Sequence, residues 1–221
     1  MSWYKNPQWW AIIALGAVAI FQNWIRSLIW KPKLKISIEL ESPDSHRIPL
    51  IDPKTHAFIS YSYYFRFRIE NKGNRSMKNT EVMITDLYRK NPKGEYEEVK
   101  SFLPLNLEWS YFHSVNMSKV QPKVYKHCDF GHIITAEIAK EQHYDLPEAC
   151  QVVFHLDTAI KPTTGTFLLV PADYRVRIVV AADNVKAKAK IYNLVVKDEW
   201  TDDEEEMLRE NVSITEVKSL N

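Results

Sequence analysis

The sequence predicts a mainly β protein, an antiparallel sandwich behind one apolar helix, and three observations carry that reading. Tyr63, Phe65, Phe67 and Ile69 alternate with Tyr64, Arg66, Arg68 and Glu70, and Tyr174, Val176, Ile178 and Val180 alternate with Arg175, Arg177 and Val179. A period of two marks a strand with one buried face. Turn signals such as Asn71-Lys72-Gly73-Asn74 and Asn91-Pro92-Lys93-Gly94 separate such runs, with almost no helical periodicity between them. Finally, Trp9 to Phe21 is unbroken apolar sequence.

That apolar run opens the chain's first element, a membrane-anchor helix within residues 1–30. At about 1.5 Å per residue, Trp9 to Trp30 covers roughly the 30 Å of a hydrocarbon core. Trp9 and Trp10 at one end and Trp24 and Trp30 at the other stand where aromatic belts form, with Leu15, Gly16 and Phe21 between them. Arg26 is expected to snorkel from the last turn. The competing readings are a buried core helix and an amphipathic helix lying in the interface, which Gln22, Asn23 and Arg26 would suit. A cleaved signal peptide does not fit, because bulky Trp24 and Ile25 stand where a small-x-small cleavage site belongs. Lys5 precedes the segment whereas Arg26, Lys31, Lys33 and Lys35 follow it. This bias places the C-terminal domain on the cytoplasmic side of an inner or plasma membrane. The opposite orientation would make Asn74-Arg75-Ser76, Asn116-Met117-Ser118 and Asn211-Val212-Ser213 candidate glycan acceptors.

The β domain is expected over residues 31–200. Leu34, Ile36, Ile38 and Leu40 alternate with Lys35, Ser37 and Glu39 as a first strand, and only Lys31-Pro32 separates it from the helix, so the domain must sit against the membrane surface. Residues 42–56 read as a proline-containing loop. After the strong strand at Tyr63–Glu70, Gly73 is expected to supply a positive φ. Val82 and Ile84, then Tyr96 to Phe102, supply further strands, and Leu105 to Tyr111 and Val152 to Leu156 are shorter ones. Tyr174 to Val180 pairs with Lys188 to Lys197 as a hairpin through Asp183-Asn184. Residues 201–221 read as a short acidic helix, with Thr201 and Glu204 at capping-box spacing, and a last strand through Val212, Ile214 and Val217. A closed barrel is the architectural alternative.

Phe65-Arg66-Phe67-Arg68-Ile69-Glu70-Asn71-Lys72-Gly73 resembles the strand ending in Asn-x-Gly of bacterial immunoglobulin-like domains of the adhesion and cell-surface type. Pro171-Ala172-Asp173-Tyr174-Arg175-Val176-Arg177-Ile178 is similar to their penultimate strand, whose tyrosine ties down a corner. The resemblance implies an immunoglobulin-like antiparallel sandwich. Because the chain is about twice the length of a minimal domain of that kind, it also implies long insertions, chiefly from Ser114 to Pro147.

Composition narrows the function. With 221 residues, 45% hydrophobic and 26% charged, the chain can bury a core, and a formal net charge of +1 gives no global pull towards nucleic acid. Five scattered glycines form no phosphate-cradling loop. Cys128 and Cys150 are too few for a disulfide framework and are expected unbridged in a reducing compartment, one bridge being the alternative. His127, Cys128, Asp129 and His132 lie together, with His143, Cys150 and His155 further on, but no Cys-x-x-Cys, His-x-His or His-Glu-x-x-His pair occurs. No metal, cofactor or catalytic residue is therefore assigned. Neighbours in a strand point to opposite faces, which argues against Cys128 acting with His127. The alternation of aromatics with arginine from Tyr63 to Arg68 is better explained by a sandwich strand than by a nucleic-acid platform. Arg66, Arg68, Arg175 and Arg177 are candidate surface contacts for anionic headgroups or an acidic partner.

The expected function is a single-pass, membrane-anchored protein-binding or assembly module, not an enzyme, accessory to a prokaryotic membrane complex. Its partners would be membrane lipid and a protein, with no nucleic acid. Two alternatives stand beside it. One is a membrane-tethered metal-dependent hydrolase using His127, Cys128 and His132. The other is a sensor or effector in a stress or antiviral pathway that forms homo-oligomers through Gly16 and its neighbours Ala14, Ala17 and Ala19.

Overall fold

The computed structural model describes residues 7–52, 54–141, 144 and 146–220. Lys5, His143 and the side chains of Asn23 and Arg26 lie outside that set. Helix α1 spans Pro7–Ile29, as the apolar run predicts. Its described apolar side chains are exposed, Trp10, Leu15, Ile20 and Phe21 by 60 to 73%, so it is no core helix. Yet among the described residues no helix is long and apolar enough to cross a membrane. The indoles and the Gln22, Asn23 and Arg26 end dilute the run, and the structure lends no support to a spanning segment on hydropathy alone.

Two antiparallel sheets follow. The strands are β1 (Leu34–Ser37), β2 (Ser45–Ile51), β3 (Phe58–Asn71), β4 (Met77–Lys90), β5 (Tyr96–Glu98), β6 (Leu105–Asn106), β7 (Asn116–Val120), β8 (Tyr125–Thr135), β9 (Val152–Leu156), β10 (Leu168–Leu169), β11 (Ala172–Ala182), β12 (Val185–Val196) and β13 (Val212–Val217). A short helix α2 (Ala136–Glu141) follows β8, and α3 (Glu204–Glu206) runs into a π-helical turn before β13. The first sheet is ordered β1-β3-β8-β9-β10, with β2 also on β3; the second is β13-β12-β11-β4-β5, with β6 and β7 also on β4. The core lies between them. Tyr63, Phe65, Phe67 and Ile69 from β3 face Val176, Ile178 and Val180 from β11, and all are fully buried. Removing one such side chain from water contributes about 1.5–3 kcal/mol.

The expected β11–β12 hairpin is present, from Ala172↔Val196 to Ala182↔Val185. The Tyr174 hydroxyl donates to Val170 O at 2.7 Å and ties its entry corner. Gly94 takes the left-handed conformation, φ 88°, in the turn that its sequence signals. Four expectations need correction. Residues 42–56 are not simply a loop: β2 pairs along β3, end to end with β1 on the same edge. The stretch from Ser114 to Pro147 is not an insertion, since it carries β7 and the central strand β8. Asp203, not Thr201, caps α3, accepting from Glu206 N. And Gly73 is not among the glycines of positive φ. A Cβ there would stand 2.2 Å from Lys31 O and 2.6 Å from Lys33 N, so glycine serves close approach.

Candidate functional site

The outer face of the first sheet carries a belt of charged and imidazole side chains, and a bulge assembles it. Arg66 pairs with Asp129 and Phe65 with Gly131, leaving Phe130 as the extra residue of β8. Asp129 and His132 are three residues apart, so in a regular strand they would face opposite sides. The bulge inverts that parity and puts both outside. Gly131 permits it, because a Cβ there would meet Phe154 Cε1 at 2.4 Å and His155 O at 2.5 Å.

At one end of the belt Asp44 fills the gap between β1 and β2. It is fully buried, and its Oδ1 accepts from Arg68 Nη2 at 2.8 Å and lies 2.9 Å from His127 Nε2. In the middle Arg66 Nε donates to Asp129 Oδ1 at 3.0 Å, and Ser110 donates to the same oxygen. Burial raises the Asp129 carboxyl above its ordinary range, against the pull of Ser110 and Arg66.

At the far end, His132 and His155 are cross-strand partners of β8 and β9, and Asp157 follows two residues after His155 on the same side. His132 Nδ1 donates to Asp157 Oδ1 at 2.9 Å, while His155 Nδ1 lies 3.4 Å from that oxygen without hydrogen-bond geometry. The two imidazoles stack at 4.7 Å between centroids, and Tyr64 stacks on the other face of His132. Phe167 and Tyr144 close over His155, at 5.2 and 6.2 Å, and beyond them runs a groove of about 640 Å³ past Lys161 and Thr164. Burial alone would raise the Asp157 carboxyl, but the hydrogen bond from His132 and the imidazole of His155 close beside it outweigh that and hold the group at about 2. Burial pushes His155 below the usual imidazole range, against the pull of Asp157. Asp157 Oδ2 and His155 Nδ1 are buried with no hydrogen-bond partner.

The sequence-level candidates divide between the two faces. Cys128 is fully buried, donates to Glu108 O and has a thiol that burial pushes up, whereas His127 reaches outward to Asp44. The two form no nucleophile and base pair, and Cys150 is free as well. Arg66, expected as a surface contact, is instead buried in the belt and paired with Asp129, and Arg68 is half-buried there and paired with Asp44, because each carboxylate stands on the same face of the sheet as its guanidinium. On the second sheet Arg175 lies 3.9 Å over the Tyr96 ring and Arg177 Nη1 is 3.4 Å from Asp86. Sequence reasoning overlooked Asp157. The His155-Leu156-Asp157 spacing was the available signal, since residues i and i+2 of a strand share a face.

No family model, curated protein or solved structure matches the chain.

Proposed function

We propose that the chain is a membrane-attached binding module, with α1 seated in the bilayer and the sandwich held at a cytoplasmic membrane surface as a docking platform for a protein of the same complex. The observation that carries this reading is the junction between helix and sandwich. The strap Lys31-Pro32-Lys33 lies against Gly73, with Asn74 N donating to Lys31 O at 3.2 Å, Lys72 N to Lys33 O at 2.8 Å and Lys33 N to Asn71 Oδ1 at 3.2 Å. A helix with apolar side chains around its whole circumference from Trp9 to Phe21 needs lipid or protein around it. The clamped strap transmits that anchorage to the sandwich without a flexible linker.

Charge supports the same placement. Lys31, Lys33, Lys72, Arg75 and Lys123 are exposed at the end of the sandwich where the strap enters, and each cation near an anionic leaflet contributes about 1 kcal/mol. Among the described residues, the hydrogen bond from the Tyr174 hydroxyl to Val170 O is the one feature that favours an immunoglobulin-like arrangement of the sandwich.

The test uses the full chain in native membranes. Retention after alkaline carbonate washing, together with a stoichiometric protein partner in mild detergent, is the expected result. Release of the chain by carbonate would overturn the attachment, and a chain recovered alone would overturn the docking role.

A further inference from the structure

We infer that His132, His155 and Asp157 form a binding site for a divalent first-row transition metal, with Zn2+ as the reference ion. The inference is independent of membrane attachment. One ligand atom from each residue lies within 4.8 Å of the others. Two donors bound to one ion at about 2.1 Å, with an angle of about 90–110° between them, stand about 3.0–3.4 Å apart. The separation of Asp157 Oδ1 from His155 Nδ1, 3.4 Å, falls at that spacing, and its separation from His132 Nδ1, 2.9 Å, lies about 0.1 Å short of it.

The unsatisfied atoms supply the second argument. His155 is 2% exposed, and its Nδ1 is directed at a carboxylate oxygen without hydrogen-bond geometry. With the proton on Nδ1 the contact is too poor to count as a bond. With the proton on Nε2, a lone pair faces a negatively charged oxygen. Asp157 Oδ2, buried beside it, has no partner either. Buried polar groups left unmade are costly, and here two of them converge. A cation held by the two Nδ1 atoms and by both oxygens of the carboxylate satisfies both, with each imidazole neutral and carrying its one proton on Nε2. The proton that His132 Nδ1 shares with Asp157 is then replaced by the ion, and that ring keeps its proton at Nε2.

The donor set also fits the chemistry. Two imidazoles and a carboxylate suit zinc and its neighbours rather than calcium or magnesium, which prefer all-oxygen shells. Three protein ligands leave a position for water or an incoming ligand. The side chains of His132 and Asp157 are 15% and 19% exposed, which gives the ion a way in from the outer face. Tyr64 against His132 and Phe167 against His155 hold the ring planes, the supporting shell that such ligands need.

The test is titration of the chelator-stripped full chain in mild detergent with Zn2+ alone, followed by calorimetry and thermal unfolding. One equivalent is expected to bind saturably and to raise the unfolding midpoint. Asp157→Asn and His132→Gln are each expected to weaken binding by at least about 100-fold, beyond the 10–100-fold that loss of an outer-shell partner costs. His113→Gln, which alters an exposed imidazole far outside the cluster in sequence, should leave it unchanged. Thermal unfolding of each metal-free variant separates lost binding from lost stability, so the binding result stands even if a variant unfolds at a lower temperature. No saturable binding, or equal binding by the wild-type chain and both variants, overturns the site.

Discussion

Replacing Gly73 by alanine tests whether the strap between helix and sandwich is clamped. The added Cβ would stand 2.2 Å from Lys31 O, 2.6 Å from Lys33 N and 2.6 Å from Pro32 Cα. All three are backbone atoms, so no side chain can rotate away, and the strap must lift by about 1 Å to restore van der Waals contact. Lifting it breaks the hydrogen bonds from Asn74 N to Lys31 O, Lys72 N to Lys33 O and Lys33 N to Asn71 Oδ1. At about 1 kcal/mol each, offset by roughly 0.7 kcal/mol from the lower entropy of the unfolded alanine chain, the net loss is about 2 kcal/mol. For a chain of this size that lowers the thermal midpoint by about 4–8 °C. The assay is thermal unfolding of the full chain in detergent, run beside limited trypsin digestion, in which a lifted strap exposes Lys31 and Lys33 to faster cleavage. An unchanged midpoint with an unchanged cleavage rate would refute the clamp.

Two further perturbations probe the belt. Asp44→Ala leaves Arg68 and His127 without their shared carboxylate. Because Asp44 is wholly buried while Arg68 keeps partial solvent, the loss is set at the lower end of the 3–5 kcal/mol range for a broken buried pair, about 3 kcal/mol, read from the urea midpoint at constant slope. An effect below about 1 kcal/mol would mean that the pair is effectively solvated. Burial, then the Arg66 guanidinium, hold His46 below its ordinary 6.5, with His127 adding to the effect and Glu204 opposing it. The folded protein therefore binds this proton less readily than the unfolded chain, so the contribution to stability is present above pH 6.5 and is lost as pH falls through the folded value. His46→Gln should flatten the acid limb of a stability-against-pH curve below pH 6.5, and an unchanged limb would contradict this.

The placement of side chains explains which parts of the molecule could be read in the sequence. β3 and the β11–β12 hairpin were legible because their inner faces are apolar at every second residue and their outer faces polar. The apolar helix was legible for the same local reason. β2 was not, because it pairs on one side only and carries Pro49 and polar residues. β8 was hidden as well: Tyr125-Lys126-His127-Cys128-Asp129-Phe130-Gly131-His132 breaks alternation, and its mixture of ligand-type residues drew attention to chemistry instead of pairing.

By itself, then, the sequence determined a mainly β chain, its strongest strands and the face each of them buries, because hydrophobic period is a property of neighbours along the chain. Only the tertiary structure decided what meets on the outer face. The bulge at Phe130 turns His132 outward, the β8–β9 register sets His155 beside it, and the exit from β9 brings Asp157 to both. Each of those contacts depends on pairing between distant segments and on one extra residue in a strand, and a shift of register by a single position would send the same side chains to the other face.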